Sequence, residues 1–174
     1  MKFRKVYSIH NGFSLVEMLI YIFLLSLLLI VVINSMVIIV SSYRNIKSTE
    51  AIESSGLSAM DRMETEIRNA QSVDAINSVF SGSGTSSILT INTSTTTPAK
   101  IKFYASSTIL AVDEDGIYNG PLISSGVRLK TLIFRSISTS TSAAIKIELE
   151  IESGTGPSYK SAKFYDTAIL RGSY

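Results

Sequence analysis

Cysteine is absent from the 174 residues. That removes disulfides, zinc–thiolate sites and thiol catalysis. Histidine occurs once, as His10, so neither a histidine-based metal cluster nor a Ser-His-Asp triad fits in the body of the chain. A surplus of either charge is missing too: 16 Lys and Arg stand against 14 Asp and Glu, a net charge of +2. Such a balance gives no electrostatic case for direct nucleic-acid binding. Ser and Thr are plentiful, but Lys is the only base available to activate them, and nucleophilic catalysis is not expected.

The chain is rich in one long apolar run, which raises the mean hydropathy to +0.30. Residues 1–12 carry Lys2, Arg4 and Lys5 and no acid, which leaves 13 bases and 14 acids, net −1, for the rest. From Phe13 to Val40 there is no basic residue, and Glu17 is the only acid. Met18 to Val40 holds 17 Leu, Ile, Val or Phe, and about 20 apolar residues suffice to cross hydrocarbon. At about −0.3 to −0.6 kcal/mol each, their insertion energy is at most about −5 to −10 kcal/mol. A central acid would cost about 2.5–3.5 kcal/mol, and Glu17 lies near one end, so insertion wins. A secretory signal fits poorly, because its apolar core is shorter and ends in an A-x-A-like site, which Val40-Ser41-Ser42-Tyr43 does not match. The three amino-terminal bases place that end in the cytoplasm, although Arg44 and Lys47 flank the other end and weaken the bias.

Glu17 is the feature that a plain anchor does not explain, since an ionisable group in an apolar helix is costly and usually paired. A short basic stretch ends in Gly12, and the apolar run then starts at once with Phe13-Ser14-Leu15-Val16-Glu17-Met18-Leu19-Ile20. These residues resemble the class III signal of type IV pilins and type II secretion pseudopilins, with Glu17 at the acidic position of that pattern. The resemblance implies that a prepilin peptidase, a membrane aspartyl enzyme, cuts after Gly12 on the cytoplasmic side, and that Phe13 is then N-methylated. Glycine suits such a cut because its backbone is unhindered. The new amine at Phe13 would lie about 6 Å along a helix from Glu17. In the family, the resemblance implies, this glutamate faces the amine of a neighbouring subunit and sets its register in a filament; such a pair would relieve two charges that are costly in hydrocarbon. The bland alternative is that Glu17 snorkels to the interface.

The pattern departs from major pilins at two points. Many carry a helix-kinking proline where Asn34 stands here, and many have a carboxy-terminal disulfide loop, which this chain cannot form. Both departures favour a minor pilin or pseudopilin.

Ser41 to Ala70 reads as a continuation of the helix, with Leu57, Met60, Met63, Ile67 and Ala70 on one apolar face. Ser54-Ser55-Gly56 reads as a bend or weak turn. From Phe13 to Ala70 the whole helix would be about 87 Å long. Beyond Ala70 the period becomes two. Expected strands are Ser87–Asn92, Lys100–Ala105, Thr108–Val112, Val127–Ser136, Ala144–Glu152 and Ala162–Arg171, with Asp113-Glu114-Asp115-Gly116 as a turn. Residues 145–152 alternate cleanly; Leu129-Lys130-Thr131-Leu132 is less regular. Ser and Thr fill 11 of the 19 positions 81–99 and six of the seven positions 136–142, which read as exposed loops.

The expected fold is therefore α+β: a long amino-terminal helix whose second half packs on an antiparallel sheet. The expected organisation is a cleaved leader (1–12), a membrane and filament-core helix (13–40), its amphipathic continuation (41–70) and an extracytoplasmic β-rich domain (71–174). The layout also resembles the larger minor pilins and pseudopilins of the J, PilW and ComGF type, in which the chain ends near a strand with an arginine, as Tyr165 to Arg171 does here.

No catalytic residue, metal site or cofactor is expected. Asp113, Glu114, Asp115 and Asp166 are oxygen donors suited to calcium, but they lack EF-hand spacing. Glu148, Glu150 and Glu152 share one strand face with no sign of a pocket, and Gly82 and Gly84 are too sparse for a phosphate loop. The partners implied by the resemblance are the prepilin peptidase, other pilin or pseudopilin subunits, the inner-membrane assembly platform and the cytoplasmic membrane. The competing reading is a membrane-anchored extracytoplasmic binding domain, an adhesin or DNA-uptake pilin.

Overall fold

The structure is a computed structural model, and it describes residues 14–80, 87–93, 99–138 and 143–171. The chain divides into two compact units, Met1–Ser42 and Tyr43–Tyr174. Helix α1 (Leu15–Asn69) supplies all of the described secondary structure of the first unit and then continues into the second.

In the first unit, no residue of the most apolar stretch is buried by protein. Leu15, Leu25 and Ile39 are 67–77% exposed, and every other large apolar side chain from Val16 to Val40 is exposed as well. The hydroxyls in this run bond to their own helix: Ser26 donates to the Phe23 carbonyl at 2.7 Å, Ser35 to Val31 at 2.9 Å and Ser41 to Ile38 at 2.8 Å. Back-bonding of this kind lowers the cost of these three hydroxyls in an apolar environment.

In the second unit, α1 buries Ser48, Ile52, Ser55, Gly56, Ala59, Met60, Met63 and Ile67. Met60, Met63, Ile67 and Ala70 are in the core as the sequence pattern indicates, but Leu57 is 63% exposed. Nor does a turn interrupt the chain at Ser54-Ser55-Gly56, which is helical. One contact explains both corrections. A Cβ on Gly56 would lie 2.2 Å from the Phe164 ring, so glycine is there to let an aromatic ring lie against the helix backbone. The buried stripe consequently runs through small residues at Ser55, Gly56 and Ala59, and Leu57 falls beside it. Ser55 Oγ also accepts the backbone N–H of Ser124 at 3.2 Å.

Two antiparallel sheets complete the unit. The first has the order β1 (Ser72–Val73), β2 (Ile88–Asn92), β3 (Lys100–Ser106), β4 (Ile109–Glu114) and β5 (Ile117–Pro121). The second has the order β6 (Val127–Ser138), β7 (Ala143–Ser153) and β8 (Lys160–Ile169). The α+β architecture is thus as expected, with the strands β1 and β5 added. The expected acidic turn is shorter than its four residues: Asp113 and Glu114 belong to β4, and only Asp115 and Gly116, with positive φ of 53° and 79°, form the two-residue hairpin loop to β5.

One core joins α1 to both sheets. β7 alternates strictly, with Ile145, Ile147, Leu149 and Ile151 buried. In β6 the register shifts between Leu129 and Thr131. Val127 and Leu129 point into the core before that bulge, and Leu132 and Phe134 after it. A bulge adds one residue and so resets the alternation, which is why residues 129–132 read as irregular.

Gly56→Ala should destabilise the second unit although alanine favours helices by up to about 1 kcal/mol over glycine. Overpacking against Phe164 costs about 1–3 kcal/mol, for an expected net loss of about 1 kcal/mol in thermal or urea unfolding of the detergent-solubilised chain. Combined with Phe164→Ala, the same substitution should become neutral or stabilising; additive losses would show that the ring does not set the constraint.

Candidate functional site

The amino-terminal signal has one described member of its three marked residues. Gly12 and Phe13 lie outside the described residues, as does His10. Glu17 lies in the first turn of α1. It is half-buried, whereas its helix neighbours Val16 and Met18 are exposed. Its Oε1 accepts a hydrogen bond from the Tyr21 hydroxyl at 3.2 Å. The i, i+4 spacing explains that contact, and it was available in the sequence as a signal for Tyr21. The amino-terminal end of a helix favours a carboxylate by about 0.3–1 kcal/mol, and a hydrogen bond adds about 0.5–1.5 kcal/mol. Against a cost of about 2.5–3.5 kcal/mol for an acid at mid-membrane, these local contacts offset only part of full immersion. The Tyr21 bond and the helix end therefore offset part of the cost of an anion near the start of α1.

The acids considered for calcium do not converge. Asp113 accepts from the Tyr104 hydroxyl at 3.0 Å, Glu114 pairs with Arg62 at 2.9 Å, and Asp115 accepts the backbone N–H of Lys100 at 2.7 Å. Asp166 bonds to the backbone N–H of Thr167 at 2.7 Å. Among the described residues no group of three or more His, Cys, Asp or Glu is placed to hold a metal. Burial, and then the Asp113 bond, push the Tyr104 hydroxyl above its usual pKa.

Glu148, Glu150 and Glu152 form a cross-strand charge ladder. Glu148 pairs with Arg135 and Lys146, each at 3.1 Å; Glu150 pairs with Lys130 at 2.7 Å and Lys163 at 3.7 Å; Glu152 pairs with Arg128 at 3.1 Å. Lys146 chiefly holds the Glu148 carboxyl below its usual range, and Lys130 does the same for Glu150. Every carboxylate here is engaged by a base, an arrangement that orders a surface and leaves no free general acid or base. Gly82, Gly84 and much of the Ser/Thr-rich stretches (81–86, 94–98, 139–142) lie outside the described residues.

Asp74 organises the chain where it leaves α1. Its Oδ1 accepts the backbone N–H groups of Ile76 and Asn77, each at 3.2 Å, and its Oδ2 meets Lys100 Nζ at 2.7 Å. The Lys100 hydrogen bond, with that of Asn77, lowers its pKa from 3.8 to about 2.

A family model described as the prokaryotic N-terminal methylation motif matches residues 8–33. No curated protein and no solved structure matches the chain.

Because the pKa of Asp74 is depressed on folding, its contribution to stability is complete above about pH 4 and fades as pH falls towards about 2. Carboxyl chemical shifts should report a midpoint near 2, and Asp74→Asn should flatten the acid limb of the stability profile. A midpoint near 3.8 would show that the Lys100 pair does not hold in solution.

Proposed function

We propose that the chain is a pilin- or pseudopilin-type precursor and a minor subunit of a type IV pilus-like filament, since residues 8–33 match the prokaryotic N-terminal methylation motif, the class III signal of type IV pilins and pseudopilins. In this reading the prepilin peptidase cuts after Gly12 on the cytoplasmic side, Phe13 is N-methylated, and the amino terminus stays cytoplasmic while the β-rich domain stands outside the membrane. The observation that carries it is the union of that signal with a helix whose apolar side chains from Leu15 to Val40 touch no protein core. Such a surface is stable in lipid, and again where many copies pack their helices together. The role is structural, and it requires no cofactor.

Glu17 supplies the register. Its carboxylate is incompletely compensated by Tyr21 and the helix end, so the amine of a neighbouring Phe13 would satisfy it at one axial offset. Sliding by one residue would separate the charges by about 1.5 Å more and rotate them apart. The minor role is supported by the uninterrupted passage of α1 through Asn34, where major pilins are commonly kinked, and by the absence of cysteine. Other pilin subunits and the inner-membrane assembly platform are the partners this reading requires.

Expressed in its native cell, a Glu17→Leu chain should reach the membrane at wild-type level yet enter filaments at least about tenfold less, as measured by immunoblotting of sheared filament and membrane fractions; one lost charge pair is worth that order. Glu17→Gln should behave in the same way. Wild-type incorporation of both variants would contradict the register role, and absence of the unaltered chain from sheared filaments would favour a plain anchor.

A further inference from the structure

A cleft of about 450 Å³ opens at the start of the second unit, lined by Arg44, Lys47 and Ser48 of α1 and by Ser125, Thr155 and Ser158 of two loops. That volume lies within the range of ligand sites. Among the described residues no acid lines it and neither Arg44 nor Lys47 has an ion-pair partner, although other bases of the unit, such as Lys130 and Arg135, do.

The walls are fixed. Ser153 Oγ donates to the Gly126 carbonyl at 2.9 Å and ties one loop to the other. A Cβ on Gly154 would lie 2.1 Å from the Ser158 carbonyl oxygen and 3.0 Å from Ser48 Oγ, so the second loop is pressed close to the helix. Gly126 and Gly154 both adopt positive φ, 95° and 82°, which glycine allows without strain. Two cations and several hydroxyls around a preformed, acid-free cleft are the donor set of a phosphate site.

Its position indicates the source of the phosphate. Arg44 and Lys47 follow Val40, the end of the apolar run, within about two helical turns. The headgroup layer is about 5–8 Å deep on each side of the hydrocarbon, so Arg44, about 6 Å past Val40, falls within it, and Lys47, about 10.5 Å past, stands just beyond its outer edge, from where a long side chain can reach back. Tyr43, 66% exposed, is the kind of aromatic residue that marks that layer. With the amino terminus in the cytoplasm, these bases stand on the far side of the membrane, against the usual distribution of positive charge, and a bound anion would account for them. We propose that this cleft binds the phosphodiester headgroup of an anionic phospholipid in the outer leaflet, resting on the membrane orientation given above.

The test uses the full chain extracted in a neutral detergent, exposed to equal amounts of phosphatidylglycerol and phosphatidylcholine, with retained lipid counted by native mass spectrometry. Phosphatidylglycerol should be retained in preference. Arg44→Gln and Lys47→Gln should each weaken retention about 5-fold, and together about 25-fold. Thr155→Phe keeps both charges but fills the cleft, and should also abolish the preference; Ser125→Phe repeats that test should the first variant fail to fold. Lys102→Gln removes a base elsewhere and should change nothing. Equal retention of the two lipids, or wild-type retention by the filled variants, would overturn the proposal in favour of diffuse surface charge. Displacement of the lipid by millimolar inorganic phosphate would overturn the lipid assignment in favour of a small-anion site. A chain that stays in solution without detergent would instead overturn the membrane reading beneath it.

Discussion

Everything in this chain is arranged around an apolar surface that the protein itself does not cover. The side chains from Leu15 to Val40 are exposed apart from Glu17, which is half-buried, and the hydroxyls at Ser26, Ser35 and Ser41 are turned back onto the helix. Such a surface in water would drive aggregation. In lipid it is satisfied, and in a bundle of like helices it is satisfied again by close packing. The same helix thus suits storage in a membrane and assembly into a filament core. Glu17 gains meaning from that background: a charge that would be ordinary on a soluble helix is the one charged side chain between Phe13 and Val40.

The second unit solves a different problem. It must hold a helix whose first half belongs to another environment, and it does so through small residues and one aromatic ring. Gly56 admits Phe164 to the helix backbone, and Ser55 bonds to the 124 loop. Further along, Met60, Met63 and Ile67 join the one core that α1 shares with both sheets. Outside this core, the ladder of Glu148, Glu150 and Glu152 with its bases orders the solvent face of β6, β7 and β8. Exposed pairs of this kind contribute little stability each, and their effect is to fix which way that face points its charges.

Much of this was legible in the sequence. The apolar run marks the long exposed part of α1, and the strict alternation of residues 145–152 identifies β7, because its burial repeats with the period of the backbone. What was not legible depends on partners distant in the chain. The Gly56 position reads as a weak point from local propensity and becomes a helix interior only when Phe164, from the last strand, arrives against it. Leu57 reads as core by spacing but sits beside a stripe narrowed by that ring. β5 was missed because Ile117-Tyr118-Asn119-Gly120-Pro121 carries turn residues, and an edge strand tolerates the glycine and proline that an inner strand would reject. The phase change in β6 comes from a bulge that no periodicity in a single strand can announce. The match of residues 8–33 to the methylation motif rests on local sequence and needs no fold to be read; the contact of Tyr21 with Glu17 follows from helical geometry.

The central claim is that the chain is handled as a prepilin. Intact-mass and amino-terminal peptide analysis of the protein taken from membranes of its native cell tests this most directly. The account predicts a mature chain that starts at an N-methylated Phe13. A chain still starting at Met1 in cells with an active prepilin peptidase would contradict it.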